Sequence, residues 1–589
     1  MSHRAHDVIR EDRADGTVLL RARAPLGEVA RRTTDWLDAW AARTPGAVFL
    51  AERSGAGWRE VRYAEARERA RALAGGLASL GAGPGAPVMI LSGNGVDHGI
   101  LALACQYVGA PVVPLAEQYA LIPAARGQID HAAALTRPSA VFAEDGAAMG
   151  DVLGRACFEG LPRIVARSPG AGMTTLDALA AEGGDISAAH AAVGPGAVAK
   201  ILMTSGSTSA PKGVPTTHRM LCANQAQIAH ALAFLAARPP VLVDWLPWNH
   251  VFGGSHNFNL VLSNGGALYV DGGKPVPQLV GRTIENLGLV AGTISFNVPA
   301  GFAMVRDALR EDAGLRRTFF GDLDMLFYAG ASLPQDVWAD LEAMAREVRG
   351  DMPLFTSSWG LTETAPAHLL QHEPTGRSGV VGVPLPGAEV KLVPDEAGRF
   401  EARVRGPNVF AGYLGGTPDA FDEDGFFRTG DAMRLVDPSD PNAGLAFDGR
   451  MAEEFKLLTG TWVRAANLRL DALPRLIGTA ADLVLCGEGR GEVGMLVVPA
   501  PRVRERAAEA QGALIDAEAA EAIRAVLGGA SSSSRIARAL ILAEPPSVAE
   551  GEITAKGNLN FRRLLSRRTA LVERLYDDAD PATILAGDA

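Results

Sequence analysis

The sequence predicts an α/β protein with a large N-terminal domain and a compact C-terminal one. Three observations carry that expectation. Short apolar runs alternate with amphipathic stretches, the pattern turns strand-rich near Gly379, and a fresh α/β pattern restarts after Phe447–Arg450. Asp35–Trp40 and Tyr63–Leu80 read as helices, the second with apolar residues recurring at spacings of three and four. Pro87–Ser92 reads as a buried strand, Val96–Val108 as the helix after it, and Pro111–Pro114 as the next strand. The glycines at 81, 83 and 85 precede a strand and miss the GxGxxG spacing, so they form a turn and not a dinucleotide site.

Further along, Gly379–Pro386 and Val390–Val393 suggest short strands, and Arg403–Leu414 is rich in glycine and strand formers. The last pattern comprises strand-like Thr461–Val463, helical Leu468–Leu476, strand-like Ala481–Cys486 and Gly494–Val498, helical Ala517–Leu527 and strand-like Ala539–Leu542. The expected division is 1–448 for the N-terminal domain, 449–453 for a hinge and 454–589 for the C-terminal domain. Ser531–Ser534 is a low-complexity loop.

Composition narrows the function classes. The 589 residues carry 56 basic and 67 acidic side chains, a net charge of −11, with 48% hydrophobic and 21% charged residues. These proportions exclude wholesale disorder, and the acidity argues against a nucleic-acid binder. The N-terminus lacks a signal-peptide core and no apolar run is long enough to span a bilayer, so a soluble cytoplasmic protein without a membrane partner is expected. Cys105, Cys157, Cys222 and Cys486 form no CxxC pair, which disfavours a disulfide framework or a zinc site. His250 and His256 alone are weak grounds for a metal. Only six of the basic residues are lysines, at 200, 212, 274, 391, 456 and 556. Where arginine is so favoured, the remaining lysines mark places that need a compact ammonium.

The strongest local signal is Ile201–Gly213, ILMTSGSTSAPKG. The strand Lys200–Met203 runs into Thr204, Ser205, Gly206, Ser207 and Thr208, and the segment ends in Pro211-Lys212-Gly213. Small residues let successive N–H groups surround an anion, hydroxyls add donors, and Lys212 supplies a mobile charge for phosphate oxygens. The spacing is not that of a Walker A loop.

This loop resembles that of the adenylate-forming superfamily of acyl-CoA synthetases, luciferases and nonribosomal-peptide adenylation domains. Further motifs in the same order support the resemblance, which spans roughly residues 35–565: Tyr328–Ser332, Ser358–Glu363, Arg428–Asp431 and Asp448–Arg450. The resemblance implies parallel-rich sheets with a small barrel-like subdomain, and a mobile C-terminal domain that rotates between two reaction steps. It implies that Tyr328, Gly330, Ala331 and Ser332 meet adenine and the acyl group, and that Ser358, Trp359 and Gly360 line the adenine. Thr362 would bond the α-phosphate and Glu363 would help hold Mg²⁺. Asp431 would accept from the ribose hydroxyls, with Arg450 reaching the same nucleotide. The substrates implied are ATP, a carboxylic acid and coenzyme A, and the product is a thioester formed through acyl-AMP. Lys212, Thr362, Glu363, Lys456 and Lys556 form the expected catalytic set.

Phe447–Val463, Glu544–Gly557 and Leu246–Asn259 look like bacterial feruloyl-CoA synthetases, which implies a hydroxycinnamic acid substrate. His250, Phe252, Phe296, Val298, Pro299, Tyr328 and Gly330 are the candidate acyl-pocket residues, an apolar and aromatic wall with a few polar tips. Another aromatic or medium-chain acid, a separate carrier protein as acceptor, and a non-catalytic adenylate binder stand as alternatives. The sequence leaves the oligomeric state open, a homodimer being one option. Two departures from the superfamily pattern stand out. Ala452 occupies the usual hinge position, followed by Glu453 and Glu454. In the terminal motif Asn558 sits where a lysine is usual, and Lys556 lies two residues earlier. The expectation is that Lys556 supplies the displaced ammonium. Lys556→Ala then lowers acyl-AMP formation, measured as acid-dependent pyrophosphate exchange; an unchanged rate beside an abolished Lys212→Ala rate would refute the substitution.

Overall fold

Strand formation follows burial. In a computed structural model the described residues are 4–204, 211–330, 333–395, 399–416, 419–451, 454–476, 478–509, 517–529, 535–547, 550–553 and 559–586. The fold is mixed α/β, with a large N-terminal sheet domain and a small C-terminal one. A seven-stranded sheet runs in the order Lys212–Thr217, Val198–Thr204, Val112–Pro114, Val88–Ile90, Ala140–Asp145, Arg163–Arg167 and Met173–Thr175. Every neighbouring pair is parallel except the first, an antiparallel hairpin. Val88 and Ile90 pack with helices Tyr63–Ser79 and Val96–Tyr107, whereas Met89 faces the opposite cluster around Ile129 and Val141. Both faces are covered, which is why these strands read as continuous apolar runs.

A second sheet, Val241–Asp244, Ala267–Val270, Val48–Ser54 and Gly57–Arg62, has four strands. The third has eleven and changes character along its width. Ile294–Asn297, Met325–Tyr328 and Leu354–Gly360 are parallel. Beyond them Ala367–Leu370, Val380–Pro384, Leu445–Arg450, Phe427–Leu435, Phe400–Arg405, Glu389–Pro394, Val18–Ala22 and Val8–Asp12 continue antiparallel. The hairpin Val8–Ala22 was not apparent from sequence, because Arg10, Glu11 and Asp12 interrupt its alternation at an exposed edge.

The C-terminal sheet orders Ala480–Cys486, Val493–Pro499, Ile536–Ile541 and Ile584–Leu585, with separate apolar clusters of its own. The expected helix Leu468–Leu476 is an α-helix over Ala465–Ala472 closed by a 3₁₀ turn over Leu473–Leu476. At the junction the buried Arg399 guanidinium bonds Asp395 at 2.7 Å and also Glu454. Burial raises the Glu454 carboxyl to about 7, against the opposing pull of Arg399. Ala452 and Glu453 lie outside the described residues, as do the candidate Lys556 and Asn558, which occupies the usual lysine position.

The ends of the terminal motif are nevertheless fixed. Ile553 and Leu559 form an isolated bridge, and Glu552, 0% exposed, accepts from Arg568 at 2.6 Å, Arg567 at 3.1 Å and the Ser547 N–H at 2.8 Å. Burial alone would raise the Glu552 carboxyl, but the Arg568 hydrogen bond, the Ser547 N–H and both guanidinium charges outweigh it and leave it lowered. A lowered carboxyl contributes stability above its unfolded value, about 4.3, and loses it as pH falls through the folded value. Glu552→Gln is expected to cost about 2–4 kcal/mol at pH 7, moderated by the partial exposure of Arg567. Urea denaturation of the full chain should show that difference and should show it shrinking below about pH 4.

Candidate active site

Two groups of the expected residues meet at the C-terminal end of strand Leu354–Gly360. The first centres on Glu363. Residues Thr362–Thr364 form one 3₁₀ turn directly after the strand, and Thr362 and Glu363 are buried. Glu363 is held by its carbonyl, which accepts from Phe410 N–H at 2.9 Å, and by its carboxylate, whose Oε1 accepts from the Tyr413 hydroxyl at 2.6 Å. The carbonyl of neighbouring Thr364 accepts from the Asn408 amide at 2.7 Å. Lys212 starts the strand Lys212–Thr217, and its ammonium lies 4.8 Å above the Tyr413 ring. The Leu414 N–H bonds the Gly213 carbonyl at 2.9 Å, tying the two segments together. Lys212, Tyr413 and Glu363 thus form one cluster around a cation–π contact and a charge-assisted hydrogen bond. Burial pushes the Tyr413 phenol up and the adjacent Glu363 carboxylate adds to the shift, so the hydroxyl remains a donor at neutral pH.

The second group centres on Asp431. Its Oδ2 accepts from the Trp359 indole N–H at 2.8 Å, and its Oδ1 lies 3.2 Å from Arg450 Nε. Trp359 and Asp431 are buried while Arg450 is half exposed. Asp431 and Arg450 are also register partners in the antiparallel sheet. The Trp359 indole therefore orients the carboxylate, a role that sequence reading had not assigned to it. Ser358 and Gly360 flank Trp359 in the same strand.

The expected acyl residues are brought together only in part. Phe252 and Phe296 lie 5.8 Å apart, and both contact Phe327, at 5.7 and 5.0 Å between ring centroids. His256 joins the same cluster, 5.3 Å from Phe296 and 5.5 Å from Phe327. Val298 and Pro299 follow directly after the strand carrying Phe296 and begin helix Pro299–Glu311. His250 accepts from the Phe252 N–H through Nδ1 at 3.3 Å. Tyr328 is not brought into this group. Its ring packs near Trp338 and Phe355 on the other face of its strand, and its hydroxyl accepts from the Gly379 N–H at 3.0 Å. The two-residue alternation of a strand puts Phe327 where Tyr328 was expected. Gly330 is exposed with φ of +92°.

The segment Phe252–Asn257 is a π-helical turn, a wide geometry found often at functional sites. Gly253 and Gly254 are required there, since a Cβ would meet Leu246 O at 2.2 Å and Trp248 O at 2.0 Å. Lys200, whose burial lowers it to about 8, donates to the Gly254 carbonyl at 2.5 Å. Lys456 lies on the hairpin pairing Phe455–Lys456 with Trp462–Val463, its ammonium 5.4 Å from the Trp462 ring centroid. Ser205, Gly206, Ser207, Thr208, Ala331 and Ser332 lie outside the described residues; Thr204 ends its strand, with its hydroxyl 3.5 Å from the Lys212 carbonyl.

Among the described residues no group of three or more His, Cys, Asp or Glu side chains converges. A single carboxylate such as Glu363, completed by phosphate oxygens and water, is the donor set that suits Mg²⁺. Sequence reading did not single out Tyr413, Phe327 or Asn257, which the structure places beside the expected residues. The Gly-rich composition around Tyr413 masked it, although an aromatic residue in such a segment was a signal.

A buried acidic turn, a lysine hairpin and an indole–aspartate pair thus lie at the ends of sheet strands. The chain belongs to the AMP-binding enzyme family, which matches residues 37–414, with the AMP-binding enzyme C-terminal domain matching 475–580. It is similar to a long-chain-fatty-acid–CoA ligase of Salmonella typhimurium, 31% identical over 257 residues, covering 40% of this chain and 43% of that protein. It is also similar to a probable 4-coumarate–CoA ligase 2 of Dictyostelium discoideum, 27% identical over 304 residues, covering 50% and 52%. The chain thus spans about half or less of the length of these curated relatives. Its fold is like that of the O-succinylbenzoate coenzyme A synthetase MenE of Bacillus subtilis in complex with AMP, with a TM-score of 0.67, 17% identity and coverage of 91% and 98%. No helix of the described residues is long and apolar enough to cross a membrane.

Tyr413→Phe removes the donor from a buried carboxylate and keeps the ring under Lys212. It is expected to lower stability by about 1–2 kcal/mol in urea denaturation, whereas Tyr413→Leu, which also removes the cation–π contact, should cost about 0.5–1 kcal/mol more.

Proposed function

We propose that this chain is a cytoplasmic, AMP-forming acid–thiol ligase that converts an aromatic acid of the hydroxycinnamate type, such as ferulate, to its coenzyme A thioester. The observation that carries the reading is the pairing of the Lys212–Tyr413–Glu363 cluster with the Trp359–Asp431–Arg450 cluster at the end of one strand. One offers a cation and a carboxylate for a polyphosphate; the other offers carboxylate oxygens for the hydroxyls of a ribose. Support for an aromatic acid comes from the Phe252, Phe296 and Phe327 wall and from similarity to a protein named as a 4-coumarate–CoA ligase.

A carboxylate is a poor acylating agent because oxide is a poor leaving group. In the first step its oxygen attacks the α-phosphorus of ATP, forming acyl-AMP and releasing pyrophosphate. Lys212 and the N–H groups of its loop stabilise the charge gathering on the α-phosphate, and Thr362 donates to the same oxygens. Mg²⁺ held by Glu363 would supply further neutralisation of the phosphates. Asp431, oriented by Trp359, fixes the ribose and so the angle of attack. In the second step a thiolate attacks the acyl carbonyl and AMP leaves. Rotation of the C-terminal unit about residues 449–453 separates the steps, with Lys556 serving the first and the Arg399–Glu454 contact reorganising between them.

The test is incubation with MgATP and a panel of cinnamic, benzoic and fatty acids, with and without coenzyme A, following AMP and thioester. Hydroxycinnamates should give both products, and Lys212→Ala should lower the rate about 10²–10³-fold. Preference for fatty acids would overturn the substrate class. AMP without thioester would point to a carrier protein, and no AMP with any acid would overturn the enzymatic reading.

A further inference from the structure

The aromatic wall contains one polar side chain whose hydrogen-bonding sense is set from behind. His256 is 2% exposed and surrounded by Phe252, Phe296 and Phe327 at 5.3–5.8 Å between centroids. Its Nδ1 is 2.9 Å from Asn257 Oδ1, and Asn257 Nδ2 in turn donates to Asp244 Oδ2 at 3.0 Å. Asn257 and Asp244 are both buried, and Asp244 is itself held by the Leu246 N–H on Oδ1 at 3.2 Å.

The chain of bonds has one direction. Burial raises the Asp244 carboxyl to about 7; in its ionised form, above that pH, its oxygens only accept, so the Asn257 NH₂ faces Asp244 and the Asn257 carbonyl oxygen faces His256. A carbonyl oxygen only accepts, so the imidazole proton sits on Nδ1. The remaining nitrogen, Nε2, is then a lone-pair acceptor. Burial lowers the His256 imidazole to about 4, which keeps it neutral and preserves this sense. Among the described residues Nε2 has no hydrogen-bond partner. Gln225, whose amide donates to the His256 carbonyl at 3.3 Å, has a buried Oε1 without a partner among the described residues, and Ser255 Oγ is in the same condition. This stretch therefore carries more acceptor capacity than the protein uses.

We propose that His256 Nε2 accepts a hydrogen bond from the ring hydroxyl of the aromatic acid, and that the Asp244–Asn257 pair fixes the tautomer that makes this possible. The inference rests on the aromatic-acid reading above and adds the group that is recognised. An acceptor on a ring set among phenylalanines selects an O–H donor. It is left unpaired, at a cost, by a ring that carries hydrogen or a methyl ether at that position. Sites built to bond a substrate hydroxyl reject the analogue lacking it far more strongly than apolar pockets reject an extra group.

The experiment compares kcat/KM for 4-hydroxycinnamate, 4-methoxycinnamate and cinnamate in the wild type, His256→Phe and His256→Gln. The wild type should prefer the 4-hydroxy acid over both others by about 10²-fold. His256→Phe should abolish that preference, largely through loss of activity on the hydroxy acid, with cinnamate turnover kept or raised. His256→Gln, which retains an acceptor oxygen, should restore part of it. A wild type that turns over cinnamate and 4-hydroxycinnamate equally, or a preference that survives in His256→Phe, would overturn the inference while leaving the aryl-CoA ligase reading intact. A wild type active on fatty acids alone would overturn that reading itself. Should His256→Phe fail to fold, the wild-type ranking and the partial preference of His256→Gln decide the matter.

Discussion

Strand Leu354–Gly360 is bonded in two senses at once, and the site depends on that. Its first half pairs in parallel with Met325–Tyr328, and its second half pairs antiparallel with Ala367–Leu370, with a register shift between Trp359 and Gly360. A parallel strand needs a crossover to continue, whereas an antiparallel one can turn back within a few residues. The change forces the chain to reverse at Thr362–Thr364, next to the ends of the neighbouring parallel strands. Crevices outside the carboxyl ends of such strands are where open α/β sheets bind ligands. Trp359, Thr362 and Glu363 are therefore placed at that end by the topology.

Burial then sets the chemistry of the two carboxylates. An ionised group removed from water is costly unless its oxygens find donors. Glu363 and Asp431 are buried, and each receives a neutral donor, the Tyr413 hydroxyl and the Trp359 indole respectively. Neutral donors satisfy the carboxylate without cancelling its charge, so it remains able to attract a cation or accept from hydroxyls. An arginine in Tyr413's place would pair with Glu363 and blunt that capacity. Arg450 does approach Asp431, but its half-exposed side chain is screened by water and contributes little to holding the pair.

Legibility in the sequence followed the range of the interaction. The buried strand Val88–Ile90, the helix after it and the C-terminal α/β pattern were readable because burial on both faces writes itself into consecutive apolar residues. Lys212, Thr362, Glu363 and Asp431 stood out because each lies in a local motif. Tyr413 did not, since its meaning lies in contacts with Glu363, 50 positions away, and with Lys212. Tyr328 and Phe327 were exchanged for a related reason: a strand of four apolar residues buried throughout gives no alternation from which to read its facing. The edge hairpin Val8–Ala22 was hidden by its charges, which protect an edge and resemble a loop.

The scarcity of lysine acquires a physical account from the same structure. Lys200 places its ammonium on the Gly254 carbonyl inside the wide turn, and Lys391 bridges Asp422 at 2.9 Å and Asp424 at 2.8 Å in a buried corner. Both positions hold a compact charge where a planar guanidinium would need more room and more acceptors. Lys212 stacks its ammonium on one tyrosine face, leaving the other protons for a ligand. Lys556 belongs to a segment whose two ends, Ile553 and Leu559, are bonded to each other and anchored by Glu552.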